Sequence, residues 1–207
     1  MDFIDERNDL VYSFWKIAEL LNPNWVIMEN VPGFINFNQS EYLKNIKIFG
    51  EKIGYKVEHK IINTADYGVP QTRKRFILIG TKTDLVFPWP KQKYFLKPKG
   101  WQTPYRTINQ VLTDLDSSAS YVNQKNHKSP KHNKIVSERY KYIKEGEKLK
   151  VENLPKNLRL GTKTGKLIKN FSHIYFRLDR NKPSRTMVPG HNAFPIHPWL
   201  NRTLTIR

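Results

Sequence analysis

Glu29 is the first residue whose type and setting suggest chemistry. It follows the apolar run Trp25 to Met28 and precedes Asn30, Val31 and Pro32-Gly33. A short apolar run closed by Pro-Gly predicts a buried strand ending in a turn. A carboxylate at the end of such a strand is costly without a partner or a task. In open α/β sheets that end of a strand is where ligands bind. A capped or salt-bridged structural Glu is the plainer alternative. A second set of chemically capable side chains stands at Gln71, Arg73 and Arg75. Alternate residues of an extended chain point the same way, so these three are expected to face one site. Guanidinium forks there suit a carbonyl oxygen or a phosphate; a solvated basic strand entry is the alternative. The six histidines show no spacing typical of a metal site, and no metal is expected.

Elements must hold these groups. Leu10, Phe14, Ile17, Ala18 and Leu21 recur at helical spacing and predict one apolar helix face. Asn8 or Asp9 suits its start, and Asn22-Pro23 ends it. The strand over Trp25–Met28 follows. A second helix is expected from Ser40, as N-cap, to Ile53, with Tyr42, Ile46, Phe49 and Ile53 inward and Gly54 just past its end. Tyr55–Ile61 alternates as a half-exposed strand, and Phe76–Gly80 reads as a buried one. Residues 1–80 therefore alternate helix, strand, helix, strand, strand. The fold class expected is α/β: the second half of an open, mostly parallel, Rossmann-like sheet. No Gly-rich phosphate loop of the usual spacing occurs.

Charge divides the chain differently. Residues 1–80 are net neutral, residues 81–170 carry +13 and residues 171–207 carry +5, giving +18 in all. Such one-sidedness suggests a polyanion partner, most often nucleic acid, although Lys and Asn richness can also echo an AT-rich genome. In the basic part, Trp89, Trp101 and Tyr105 interleave with Lys91, Lys93, Lys97 and Lys99 among several prolines. Short helices are expected at Thr107–Leu115 and Glu138–Glu147, a loop at Ser117–Lys134 and a strand at Ile174–Leu178. Cysteine is absent, which excludes disulfides, Cys-ligated zinc and a Cys nucleophile within these 207 residues. No apolar run approaches membrane-spanning length, so no membrane partner is expected.

Glu29-Asn30-Val31 at a strand end, followed by Gly68-Val-Pro-Gln-x-Arg-x-Arg75, resembles the DNA cytosine-5 methyltransferases of bacterial restriction-modification systems. Asp5-Glu-Arg-Asn-x-Leu10, Lys182-Pro-Ser-Arg-Thr-Met187, His197-Pro198 and Arg202–Arg207 extend the resemblance toward both ends. It implies methyl transfer from S-adenosylmethionine to carbon 5 of a cytosine flipped out of double-stranded DNA. A Cys thiolate adds to ring carbon 6 in that family. By resemblance, Glu29 grips the N3 and amine edge of the base and Arg75 binds its O2. Arg73 steadies the site or the DNA backbone, and Asn30 and Gln71 order the site. Leu10 touches the cofactor. Residues 1–80 then form a partial catalytic domain, 81–200 an irregular α+β target-recognition domain, and 201–207 a return to the catalytic domain. DNA contacts are expected among Arg159, Lys163, Lys166, Arg177, Arg180 and Arg185.

The chain departs from the family pattern in lacking the Gly-rich cofactor motif and the Pro-Cys nucleophile motif. The resemblance therefore implies a complementing methyltransferase subunit or segment, a chain inactive alone, and a cytoplasmic, bacterial setting. A non-catalytic DNA-binding remnant of the family, or an RNA-binding protein, remain the competing readings.

Overall fold

The computed structural model describes residues 9–35, 41–112, 126–127, 131–161, 166, 175–187 and 194–205. Helix α1 (Asp9–Leu21) leads to strand β1 (Trp25–Asn30), helix α2 (Glu41–Lys52) and strand β2 (Lys56–Asn63). After a 3-10 turn at Thr64–Tyr67 come β3 (Gln71–Thr72) and β4 (Lys74–Thr81). Further along lie β5 (Tyr94–Phe95), β6 (Thr103–Pro104), α3 (Asn109–Leu112), α4 (Lys134–Tyr140) and β7 (Ser184–Arg185). The chain forms two compact units. One comprises Met1–Asn63 with Arg73–Gln92, the other Thr64–Thr72 with Lys93–Arg207.

In the first unit β4 lies between β1 and β2, and both ladders are antiparallel. This corrects the expected mostly parallel sheet. The connection from β2 to β4 is too short for the crossover that parallel neighbours require. A parallel relation survives only between β1 and β2, which run the same way on either side of β4, with α2 between them in sequence. Both therefore form sheet edges.

Trp15 is the centre of this unit. It is fully buried, and a Cβ added to Gly50 of α2 would lie 2.6 Å from its ring. A Cβ on Gly80 of β4 would meet Val26 at 2.7 Å and Trp15 at 3.2 Å. The two glycines let α2 and β4 approach the indole, which no larger residue permits. Helix α2 ends as its sequence predicts. Gly54 has φ +90°, and the amides of Gly54 and Tyr55 donate to the carbonyls of Glu51 and Gly50, both at 3.0 Å. That is the Schellman closure. Asn8 and Ser40, expected as caps, lie outside the described residues.

The inward face of α1 differs from expectation. Val11, Trp15 and Ala18 are buried, whereas Leu10, Ile17 and Leu21 are exposed. The helix is apolar on more than one side, and periodicity alone does not choose between faces. Phe14, Ile17, Ala18, Leu21, Pro23, Val26 and Ile27 line a shallow groove of about 200 Å³ beside the free edge of β1.

In the second unit the main core joins Tyr140, Ile143, Leu149, Val151, Leu154, Leu158 and Ile196. Helix α4 begins at Lys134, earlier than expected, because the Asn133 side chain accepts from the Ile135 amide at 3.0 Å. It ends at Tyr140 rather than Glu147. The described part of the first expected short helix is Asn109–Leu112. Most of the Ser117–Lys134 loop, and Ile174, lie outside the described residues. The expected strand there is not continuous: Phe176 and Arg177 make only single bridges, to Lys148 and Ile196. Tyr175, at φ 57°, interrupts extended structure.

Candidate active site

Glu29 is the fifth residue of β1 and faces Ile77 across the ladder; Arg75 lies two residues before Ile77 on β4. Diagonal neighbours of this kind share a sheet face and reach one another when their side chains are long. Arg75 Nε stands 2.6 Å from Glu29 Oε1. The arginine side chain is 19% exposed and the carboxylate 54%. The expectation of a buried carboxylate is thus modified: Glu29 sits within the strand and opens to solvent, held by a mostly enclosed cation. Arg75 also donates through Nη1 to the Lys74 carbonyl at 2.8 Å, which fixes the guanidinium. The arrangement presents an acceptor and a fan of donors at one end of the sheet. That suits a ring bearing an N–H edge next to a carbonyl oxygen.

Asn30 closes the strand. Its Oδ1 accepts from the Val31 amide at 2.8 Å, and the Phe34 amide donates to the Val31 carbonyl at 3.0 Å, starting the 3-10 turn over residues 32–35. Arg73 is half-buried and belongs to the first unit with Glu29 and Arg75.

Gln71 does not continue the alternation with Arg73 and Arg75. Strand β3 stops at Thr72 and β4 starts at Lys74, and Gln71 belongs to the second unit. There it pairs with Ser184 of β7, so the two motif stretches at Gly68–Gln71 and Lys182–Met187 are joined. Thr64 Oγ1 donates to the Gln71 carbonyl at 2.7 Å, and Thr72 Oγ1 to the Ser184 carbonyl at 3.1 Å. Thr186 Oγ1 donates to the Thr72 carbonyl at 3.1 Å. Sequence reasoning did not single out these threonines, which bind backbone and so carry no pattern of their own. Gly68 has φ +90°, and a Cβ there would lie 2.6 Å from the Tyr94 ring. The motif glycine thus answers both to its turn and to a ring packed against it. Gln71, Ser184, Met187 and Leu204 help line a cavity of about 310 Å³ in this unit.

The expected DNA-contact residues separate into different roles. Arg177 is 5% exposed and donates to backbone carbonyls of Tyr140 (2.6 Å), Ile143 (2.7 Å), His197 (2.8 Å) and Leu200 (2.9 Å), and to Asn201 Oδ1 (2.7 Å). It is a structural clasp rather than a DNA contact, and burial pushes its pKa down. Arg180 pairs through Nε with both Glu145 oxygens (2.9 and 3.0 Å) and lies over the Trp199 ring at 4.8 Å. Burial opposes ionisation of Glu145, but the Arg180 hydrogen bonds outweigh it and hold that carboxyl below its ordinary range. Arg159 is exposed, with Nε bonded to the Leu154 carbonyl at 3.0 Å. Arg185 is exposed and stacks on Phe176 at 4.6 Å. Lys166 is exposed, and Lys163 lies outside the described residues. Among the described residues no group of three or more His, Asp or Glu converges as a metal site.

The first unit is thus an α/β unit with a carboxylate–guanidinium pair at its sheet end, and the second holds a Pro-Gln turn paired to β7. The C-5 cytosine-specific DNA methylase family matches residues 1–207, and the chain belongs to that family. The type II methyltransferase M1.HphI of Haemophilus parahaemolyticus is 30% identical over 207 residues, 98% of this chain and 50% of that protein. M.BbvI of Brevibacillus brevis is 32% identical over 196 residues, 91% of this chain and 48% of that protein. The chain spans about half the length of these curated relatives. A crystal structure assigned as a DNA modification methyltransferase encoded within an E. coli prophage matches in fold. Its TM-score is 0.65 at 22% identity, covering 97% of this chain and 62% of that one.

The family implies S-adenosylmethionine. Leu10, the residue carried over to it, is 66% exposed on α1 and lines neither the groove nor the cavity described above. One exposed leucine does not make a pocket for that cofactor. No described helix is long and apolar enough to cross a membrane.

Proposed function

We propose that this chain is the middle-to-late portion of a cytosine-5 DNA methyltransferase of a bacterial, cytoplasmic restriction-modification system. The observation that carries the reading is the Glu29–Arg75 pair, 2.6 Å apart, in a chain of this family. On this reading a flipped cytosine presents N3 and its amine to Glu29 and its O2 to Arg75, so charge developing on the ring meets fixed partners. Arg73 steadies the active-site loop or the DNA backbone, and Asn30 and Gln71 order the site. Residues 1–80 serve catalysis within the second half of an open sheet, 81–200 recognise double-stranded DNA, and 201–207 return to the catalytic domain.

These residues contain no cysteine, so the thiolate must come from a complementing segment or subunit, which also supplies most of the S-adenosylmethionine pocket. Its docking surface is the exposed apolar side of α1 with the free edge of β1. Ile17, Leu20, Leu21 and Ile27 are all exposed there, an arrangement that monomeric domains avoid. Alone, the chain transfers no methyl group. The alternative, a non-catalytic DNA-binding remnant, leaves Glu29 and Arg75 without a use.

The two readings separate on Glu29→Gln in the chain reconstituted with a segment carrying the Pro-Cys and Gly-rich motifs. Methyl transfer is expected to fall about a hundredfold or more while DNA affinity holds. An unchanged rate removes the assigned role of Glu29.

A further inference from the structure

Trp101 is 92% exposed, the most exposed of the large apolar residues among those described. Burying a tryptophan is strongly favourable, so an ordered tip that presents one to solvent needs an explanation. Leu96, 70% exposed, stands in the same loop.

The loop is firmly built. Its base is the pairing of β5 with β6, Tyr94 with Thr103 and Phe95 with Pro104. The Tyr105 amide donates to the Phe95 carbonyl at 3.1 Å, and the Tyr105 hydroxyl to the Asp66 carboxylate. The Lys93 amide donates to the Asp66 carbonyl at 2.9 Å. Tyr94 packs against Gly68 on one side, and the Arg106 guanidinium lies 5.6 Å from its ring centre. At the tip, Lys99 and Gln102 exchange two hydrogen bonds, the Lys99 amide to Gln102 Oε1 at 2.9 Å and the Gln102 amide to the Lys99 carbonyl at 3.1 Å. That brace holds Gly100-Trp101 in a turn.

The charges that the loop itself carries are of one sign. Between positions 93 and 106 stand Lys93, Lys97, Lys99 and Arg106, all exposed, and no Asp or Glu. A braced stem whose one described acidic partner, Asp66, is taken by the Tyr105 hydroxyl, an exposed indole and a run of exposed cations fit a polyanion that offers flat apolar faces between its charges. That is a nucleic acid, whose phosphates take the lysines and whose bases take the ring.

We propose that the Leu96–Gln102 finger is a DNA contact in which Lys97 and Lys99 hold phosphates while Trp101 stacks against an unstacked base. This rests on the reading of the chain as DNA-binding. It names a contact beyond the residues expected from the sequence, of which Arg177 and Arg180 are engaged within the fold.

The test uses the full chain and a mixed-sequence DNA duplex carrying 2-aminopurine, with affinity read by fluorescence anisotropy across a salt series. Trp101→Ala is expected to weaken binding by roughly tenfold and to leave the salt slope unchanged, with Trp101→Phe recovering most of the loss. The double change Lys97→Ala, Lys99→Ala is expected to flatten the slope by about two. The 2-aminopurine signal should rise with the unaltered chain and the Phe variant but not with the Ala variant. Equal affinity and equal 2-aminopurine response for Trp101→Ala overturn the finger while leaving DNA binding intact. No duplex binding by the unaltered chain overturns both the finger and the function proposed above. Trp101-dependent binding to anionic vesicles, or Trp101-dependent self-association, without any effect of Trp101 on DNA, assigns the loop elsewhere and overturns it too.

Discussion

At the scale of single residues, cations that look alike in sequence have different roles. Arg75 holds a carboxylate at a sheet end, Arg177 closes a core and Arg185 lies on an exposed ring. Arg177→Ala removes the donors to the backbone carbonyls of Tyr140, Ile143, His197, Pro198 and Leu200 and should destabilise the second unit by about 3 kcal/mol or more in urea denaturation. Arg185→Ala should leave the melt unchanged and weaken DNA binding modestly at low salt. An Arg177→Ala protein that melts normally contradicts the clasp. His132 adds a pH dependence. Its Nε2 accepts from the Thr203 amide at 3.3 Å, and burial lowers its pKa from the ordinary 6.5. The unfolded chain then takes up the proton first, so stability rises with pH through this range. The second unit should lose stability as pH falls below about 6.5, toward the lowered folded value. Replacing His132 with Asn should flatten that part of the profile in melts at successive pH values. Glu29 and Arg75 were legible in the sequence because their spacing is tied to a strand end and a turn. The engagement of Arg177 was not, because a guanidinium that binds backbone carbonyls leaves no mark on the residues it binds.

At the scale of elements, local signals were read well and pairing was not. The Schellman end of α2, the Asn22-Pro23 stop of α1 and the strand over Trp25 all follow from residues near in sequence. The antiparallel placement of β4 between β1 and β2 rests on pairing between residues far apart in sequence, which local patterns do not specify. The buried side of α1 depends on what packs on each side. Its exposed leucines and isoleucine read as core in the sequence because they are apolar at helical spacing, and the described chain leaves that side open. The tight element contact is testable. Gly50→Ala drives a methyl into Trp15 and should cost about 1–3 kcal/mol in the first unit, measured by chemical denaturation. A neutral substitution means that α2 and the indole are not packed as described. Gly68→Ala carries both a strained φ and a clash with Tyr94, and it should disturb the Pro70-Gln71 turn more than the sheet.

At the scale of the whole molecule, a neutral first part and a basic remainder fit a division between chemistry and polyanion binding. Neither part supplies a thiolate. The exposed apolar side of α1 and β1 is where completion is expected. Ile27→Asp should abolish co-purification with a segment bearing the Gly-rich and Pro-Cys motifs, while the circular dichroism of the chain itself stays the same. The most direct measurement is methyl transfer from labelled S-adenosylmethionine to duplex DNA, with the modified base identified by mass spectrometry. It is made with the chain alone, the complementing segment alone, and both together. 5-Methylcytosine is expected only from the pair. Product from the chain alone, or a pair that forms without methylating cytosine, contradicts that expectation.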